Sequence, residues 1–309
     1  MRVYDLPDLP SNGLDCVLTV GNYDGLHRGH QRIIDRVVSL SKDLGSSPAL
    51  FSFSSHPKQY FHPEERFSYL LLLKERRSWL KYYGIEILIE CTFDKYWANL
   101  SAGDFVKFLI RLGVSHLIMG HDHKFGKDRQ GDFTYLKGFE KQIRVEQLEA
   151  ETYKGEIISS QRIRDCLRVG KVDEVEENLG RPYELHGKVV KGQQRGQEIG
   201  YPTANLEVST EKCLPGDGIY VVGVRCRGKD YEAMLYSGEK QVVHRGSRGI
   251  EVHLFNFRED IYGEELKIFF FGYLREDRSF DSWTALRDQL DLDKQDALAF
   301  FENRRKRSL

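Results

Sequence analysis

Apolar residues follow two rhythms along this chain, and the rhythm changes once. In the first half, short apolar runs alternate with longer stretches whose apolar positions repeat every three or four residues. The pairs are Val17 to Val20 then Gln31 to Leu44, Pro48 to Phe53 then Lys74 to Tyr83 closed by Gly84, and Ile85 to Glu90 then Ala102 to Leu112, with His116 to Gly120 as a further run. Continuous apolar runs read as strands covered on both faces, and the periodic stretches read as amphipathic helices. An α/β domain with a parallel sheet and right-handed crossovers is expected. After Ser159 two short helices are expected, Asp165 to Val169 and Val172 to Leu179, ending at Gly180-Arg181-Pro182-Tyr183, where glycine and proline mark a boundary.

Beyond that boundary the strand patterns are short: Tyr183 to Lys191, Ile219 to Arg225, Glu232 to Tyr236, Glu251 to Phe257 and Glu265 to Phe271. Turn residues separate them, and one amphipathic helix follows from about Ser282 to Phe301. This pattern predicts a small antiparallel barrel with a C-terminal helix. The expected domains are residues 1–180 and 181–309.

The first strand runs into Gly21-Asn22-Tyr23-Asp24-Gly25-Leu26-His27-Arg28-Gly29-His30. Strand, glycine-rich turn and helix in that order point free N–H groups and the positive end of a helix dipole at one place, which suits a polyanion such as a nucleoside triphosphate. The spacing fits neither a P-loop nor a dinucleotide fingerprint. His27 and His30, three apart, share a face of the helix's first turn.

Size and charge narrow the field. A chain of 309 residues holds one large or two medium domains, and 46 basic against 47 acidic residues argue against a coat for nucleic acid. Any phosphate site is therefore local. Five scattered cysteines form no Cys-x-x-Cys pair, and the N-terminus shows no apolar leader, so a reducing cytoplasm is expected and no membrane partner. Arg304-Arg305-Lys306-Arg307 reads as a solvated basic tail complementing the last helix's dipole.

His27-x-Gly29-His30 resembles the His-x-Gly-His signature of nucleotidyltransferases, and the whole chain resembles the bacterial bifunctional riboflavin kinase/FAD synthetase family. The carriers are the Gly21 to His30 turn, Phe53-Ser54-Ser55-His56-Pro57, Gly120 to Gly126 with Arg129 and Gly131, Ile158-Ser159-Ser160-Gln161-Arg162-Ile163-Arg164, Gly200-Tyr201-Pro202-Thr203-Ala204-Asn205, Pro215 to Tyr220, and Glu251-Val252-His253-Leu254. The resemblance implies a Rossmann-like nucleotidyltransferase domain, then a riboflavin-kinase-like barrel. The substrates would be ATP, riboflavin and FMN, the product FAD, and the metal Mg²⁺. It places His27 and His30 at the triphosphate with Gly21, Asn22, Asp24, Gly25, Gly29, Ser159, Ser160 and Arg162. His56, Pro57, Asp122, Phe125, Gly126 and Arg129 would meet the flavin, Gly192 the kinase's phosphate, Thr203 and Asn205 phosphate and Mg²⁺, and Glu251 the riboflavin hydroxyl as general base.

His121-Asp122-His123 carries too few further ligands to favour a metal site. Two departures stand out. His123-Lys124 replaces the commoner Phe-Arg, and Gly238-Glu239-Lys240-Gln241-Val242 replaces Gly-Thr-Arg-Pro-Thr, losing a rigid proline and a forked guanidinium. An FMN adenylyltransferase with a weak or inactive kinase half, and a non-catalytic flavin-binding regulator, are the alternative readings. The sequence leaves the oligomeric state open.

Overall fold

Residues Arg2–Tyr4 form a strand, β1, that no apolar run announces. The computed structural model describes residues 1–11, 13–192, 195–239 and 248–307. They divide into two compact units, Met1–Ser160 and Gln161–Leu309.

In the first unit, β2 (Cys16–Val20) leads to helix α1 (Arg28–Leu44), β3 (Ser47–Phe53), α2 (Pro57–Phe61), α3 (Leu73–Tyr82) and β4 (Ile87–Cys91). Then come α4 (Lys95–Asn99), α5 (Ala102–Arg111), β5 (Val114–Gly120), α6 (Phe133–Lys137), β6 (Arg144–Leu148) and the short hairpin β7 (Thr152–Tyr153) and β8 (Glu156–Ile157). The parallel sheet has the order β1-β4-β3-β2-β5-β6. Both faces are covered: Leu18, Phe51, Ile87 and Ile89 pack with Trp97, Phe105 and Leu109 on one side, while Val17, Leu50 and Leu88 pack with Ile34, Val37 and Leu80 on the other. That double burial explains the unbroken apolar runs of the central strands.

The strands β1 and β6, missing from the sequence reading, are the edges of this sheet, and their residues are partly or fully exposed. Helix α1 begins at Arg28 instead of Gln31 because the His27 side chain supplies its N-terminal cap. Strand order reverses on either side of β2, between β3 and β5, so a crevice opens at the carboxyl ends of β2 and β5.

The second unit takes in α7 (Ser160–Arg168) from Gln161 onward and α8 (Val172–Leu179), followed by β9 (Tyr183–Val190), α9 (Arg195–Glu198), β10 (Ala204–Glu207), β11 (Gly218–Cys226), β12 (Lys229–Glu239), β13 (Arg248–Leu254), β14 (Glu265–Arg275) and α10 (Trp283–Arg307). Six strands close into an antiparallel barrel in the order β10-β13-β12-β11-β14-β9. The division between units falls at Ser160/Gln161, ahead of the expected 180/181. The two helices belong with the barrel: Val172, Val175 and Leu179 are buried, α8 lies on β14 and β9, and the Gly216 N–H donates to the Leu167 carbonyl at 2.8 Å.

The basic C-terminal run is also placed differently. It lies within α10, where Arg304 pairs with Glu176 at 2.6 Å and stacks 4.3 Å over Phe271, and Arg305 pairs with Glu232. Arg304 docks the helix, while Arg305 and Lys306 remain exposed. Among the described residues no helix is long and apolar enough to cross a membrane.

Candidate functional site

An open cleft of about 250 Å³ lies at the expected crevice in the first unit, lined by Val20, Gly21, Asn22, Tyr23, Asp24, His30, Ile33, His56, Gly120, Asp122, His123 and Ser160. The turn between β2 and α1 shapes it at some conformational cost. Tyr23, Gly25 and Leu26 all have positive φ, at 51°, 81° and 45°. The backbone geometry favours glycine at Gly25, and a Cβ there would also press to 2.7 Å from the end of the Leu70 side chain.

His27 caps α1, its Nδ1 accepting the His30 N–H at 3.3 Å, which leaves its ring proton on Nε2. The two imidazoles stack with centroids 3.6 Å apart, and Tyr23 leans on His30 at 4.7 Å. A Cβ on Gly29 would press to 3.3 Å from the His27 ring. Burial, and then the neighbouring His27, push the His30 pKa well below the usual histidine range, and its buried Nδ1 has no hydrogen-bond partner. A buried ring nitrogen without a partner at a cleft wall is a place for a ligand's polar atom.

Other expected residues act as braces. The Asp24 carboxylate accepts the Leu70 and Leu71 N–H groups, each at 3.0 Å, and its carbonyl accepts the Ser160 hydroxyl at 2.8 Å. Its carboxylate therefore braces the turn at the edge of the cleft that the residue lines. His56 caps α2 by accepting the Lys58 N–H, stacks on Phe67 at 4.0 Å, and is followed by Pro57 at the helix start. Phe125 is not a wall of the cleft: it is buried in the core against Phe105, and Gly126 packs against the Ala102 backbone. Arg129 is exposed in a turn at φ 58°, Ser159 adjoins the lining residue Ser160 without lining the cleft, and Arg162 lies on α7 with Glu174 3.9 Å away.

His123, a cleft residue, has its pKa pushed down to about 4, chiefly by burial. Among the described residues the grouping with metal-ligand spacing is His62, Glu64 and Glu65, all exposed, and His121-Asp122-His123 does not form one.

Sequence reasoning missed the support beneath the cleft. Buried Arg76 donates to the Asn22 carbonyl at 2.9 Å, the Phe53 carbonyl at 2.7 Å and Glu90 at 2.8 Å, and Arg77 also binds Glu90, at 2.9 Å. One guanidinium thus ties together the chain leaving β2 and the end of β3. An arginine followed by a second arginine in an amphipathic helix gives no sequence signal of this, since its partners are two backbone carbonyls and a carboxylate on other elements.

A second constellation sits on the barrel. Glu251 on β13 stands opposite Asn205 on β10 and Tyr236 on β12. The Thr203 hydroxyl donates to Glu251 Oε2 at 3.0 Å, and Gly192 leaves no room for a Cβ beside the buried Asn205 carboxamide. Hydroxyl, carboxamide and carboxylate oxygens form a hard donor set that fits Mg²⁺. Gly238 and Glu239 end β12 by pairing with Gly249 and Arg248, while Lys240, Gln241 and Val242 lie outside the described residues.

Comparison with known proteins gives a consistent picture. Residues 9–162 match a family model described as FAD synthetase, and residues 179–301 match one described as riboflavin kinase. A bifunctional riboflavin kinase/FMN adenylyltransferase of Pseudomonas fluorescens is 33% identical over 283 residues, covering 90% of each chain. One of Bacillus subtilis is 30% identical, covering 94% of each. A solved structure from Streptococcus pneumoniae, described as a macrolide-efflux protein, is similar at TM-score 0.89 and 30% identity over 96% of this chain and 98% of that one.

Proposed function

The chain belongs to the family of bifunctional riboflavin kinase/FMN adenylyltransferases, and from that premise we propose that its two sites work in series: riboflavin and ATP give FMN and ADP on the barrel, and FMN and a second ATP give FAD and pyrophosphate in the cleft. The carrying observation is that one chain holds both the stacked His27/His30 pair at the carboxyl edge of a parallel sheet and the Thr203–Glu251 pair on a closed barrel. Both are phosphate chemistry, which favours this reading over the efflux named for the pneumococcal protein. Buried free thiols at Cys16, Cys91, Cys166, Cys213 and Cys226 support a cytosolic setting.

In the adenylyl step an FMN phosphate oxygen attacks the α-phosphorus of ATP and pyrophosphate leaves. No protein nucleophile is needed, so orientation and charge stabilisation carry the rate. His30, neutral at physiological pH, acts as a hydrogen-bonding group beside the α1 N-terminus, with His27 holding its orientation. In the kinase step Glu251 takes the riboflavin 5′-hydroxyl proton as that oxygen attacks the γ-phosphorus. Thr203 and Asn205 would hold Mg²⁺, which supplies neutralisation of the phosphate charge when bound.

Two variants test the division of labour. His30→Ala should lower FAD formation from FMN about 100-fold, the scale for losing a preorganised stabilising group, and leave FMN formation intact. Glu251→Gln should do the reverse. Equal loss of both activities in either variant would contradict separate sites.

A further inference from the structure

His253 lies two residues beyond Glu251 on β13, so both side chains share a strand face. The residue is 8% exposed, and its ring is held between Tyr201, at 5.0 Å, and Phe255, at 5.8 Å. Nδ1 lies 2.8 Å from the Pro202 carbonyl. A carbonyl only accepts, so Nδ1 carries the proton and donates.

That carbonyl belongs to the peptide joining Pro202 to Thr203. The β10–β13 ladder begins one residue later, with Ala204 opposite Val252. Thr203 therefore sits just outside the register, and β13 grips it twice: Glu251 takes its hydroxyl, and His253 takes the peptide before it. With one grip gone, that peptide can rotate and swing the hydroxyl off Glu251.

We propose that His253 is a positioning residue for riboflavin phosphorylation, holding Thr203 against Glu251 through the Pro202 carbonyl. The proposal rests on the kinase reading above. Substitutions that separate hydrogen bonding from packing test it. Asparagine places an amide N–H₂ near the position of Nδ1, glutamine places it near Nε2, and leucine offers no donor. His253→Leu and His253→Gln should lower kcat for riboflavin phosphorylation about tenfold, the scale of one lost hydrogen bond, with little change in KM for riboflavin. His253→Asn should recover most of that rate.

Adenylylation of supplied FMN should stay at the wild-type rate in all three. Hydrogen exchange of a peptide covering residues 201–206, measured without nucleotide, should speed up in the leucine and glutamine variants and not in the asparagine variant. Wild-type kcat and exchange in His253→Leu would overturn the proposal, as would equal losses in the asparagine and glutamine variants, a comparison that serves even if the leucine variant does not fold. A wild-type chain that phosphorylates no riboflavin would overturn the kinase reading, and the proposal with it.

Discussion

Two cleft histidines, His30 and His123, have folded-state pKa values below that of an unfolded histidine, in each case mainly because burial disfavours the charged ring. Between the two values the unfolded chain binds more protons, so stability rises with pH in that window. Their contribution is complete above about pH 6.5 and is lost as pH falls toward the folded value, which for His123 is about 4. Thermal melts should therefore show a clear drop in Tm between pH 7.5 and 5, and His123→Phe, which cannot titrate, should show a smaller one. Parallel curves for the two proteins would contradict this. The histidine pair itself was legible, because a short spacing after a buried strand fixes where both rings begin. On Asp24 and Phe125 the sequence was silent at one point, because residue type and position in a motif do not say whether a side chain faces the ligand or the scaffold. Asp24 turns its carboxylate to Leu70 and Leu71, and Phe125 turns into the core.

At the scale of elements, the cleft is held by an ion pair between α3 and β4. Arg76→Met leaves Glu90 buried with only part of its compensation, and loss of one member of such a pair costs about 3–5 kcal/mol. Urea unfolding should show that loss, and Arg76→Met combined with Glu90→Gln should recover part of it. A single variant as stable as the wild type would mean that the brace contributes nothing. The central strands were legible because burial on both faces writes an apolar run into the sequence. The edges were not: β1 and β6 need only hydrogen bonds to one neighbour and carry polar residues. Helix α1 was read three residues short because histidine is an uncommon cap.

For the whole molecule, the texture change near Gly180 coincides with the start of the riboflavin kinase match at residue 179, while the compact unit around the barrel also takes in the chain from Gln161. Apolar periodicity in α7 and α8 says that they bury a face but not against which partner, and Gly170 under Tyr273 and Gly216 against Arg168 show that the partner is the barrel. A fragment of residues 161–309 should unfold cooperatively and phosphorylate riboflavin, whereas one of residues 181–309, stripped of α7 and α8, should melt at lower temperature or fail to fold. Equal melting of both would place the helices outside the unit. The Gly238 to Val242 departure in sequence bears on the balance of the two activities. A kinase step slower than adenylylation would assign it a cost, and a faster one would show that the barrel tolerates it.

The central claim is that one chain makes FAD from riboflavin in two steps. The direct measurement is to incubate the purified chain with Mg²⁺-ATP and either riboflavin or FMN, and to separate the flavins by chromatography over time. From riboflavin, FMN should appear first and FAD after it, with ADP and then pyrophosphate released, and from FMN, FAD should form without a lag. FAD from FMN alone would reduce the protein to an adenylyltransferase. No conversion of either flavin would contradict the account.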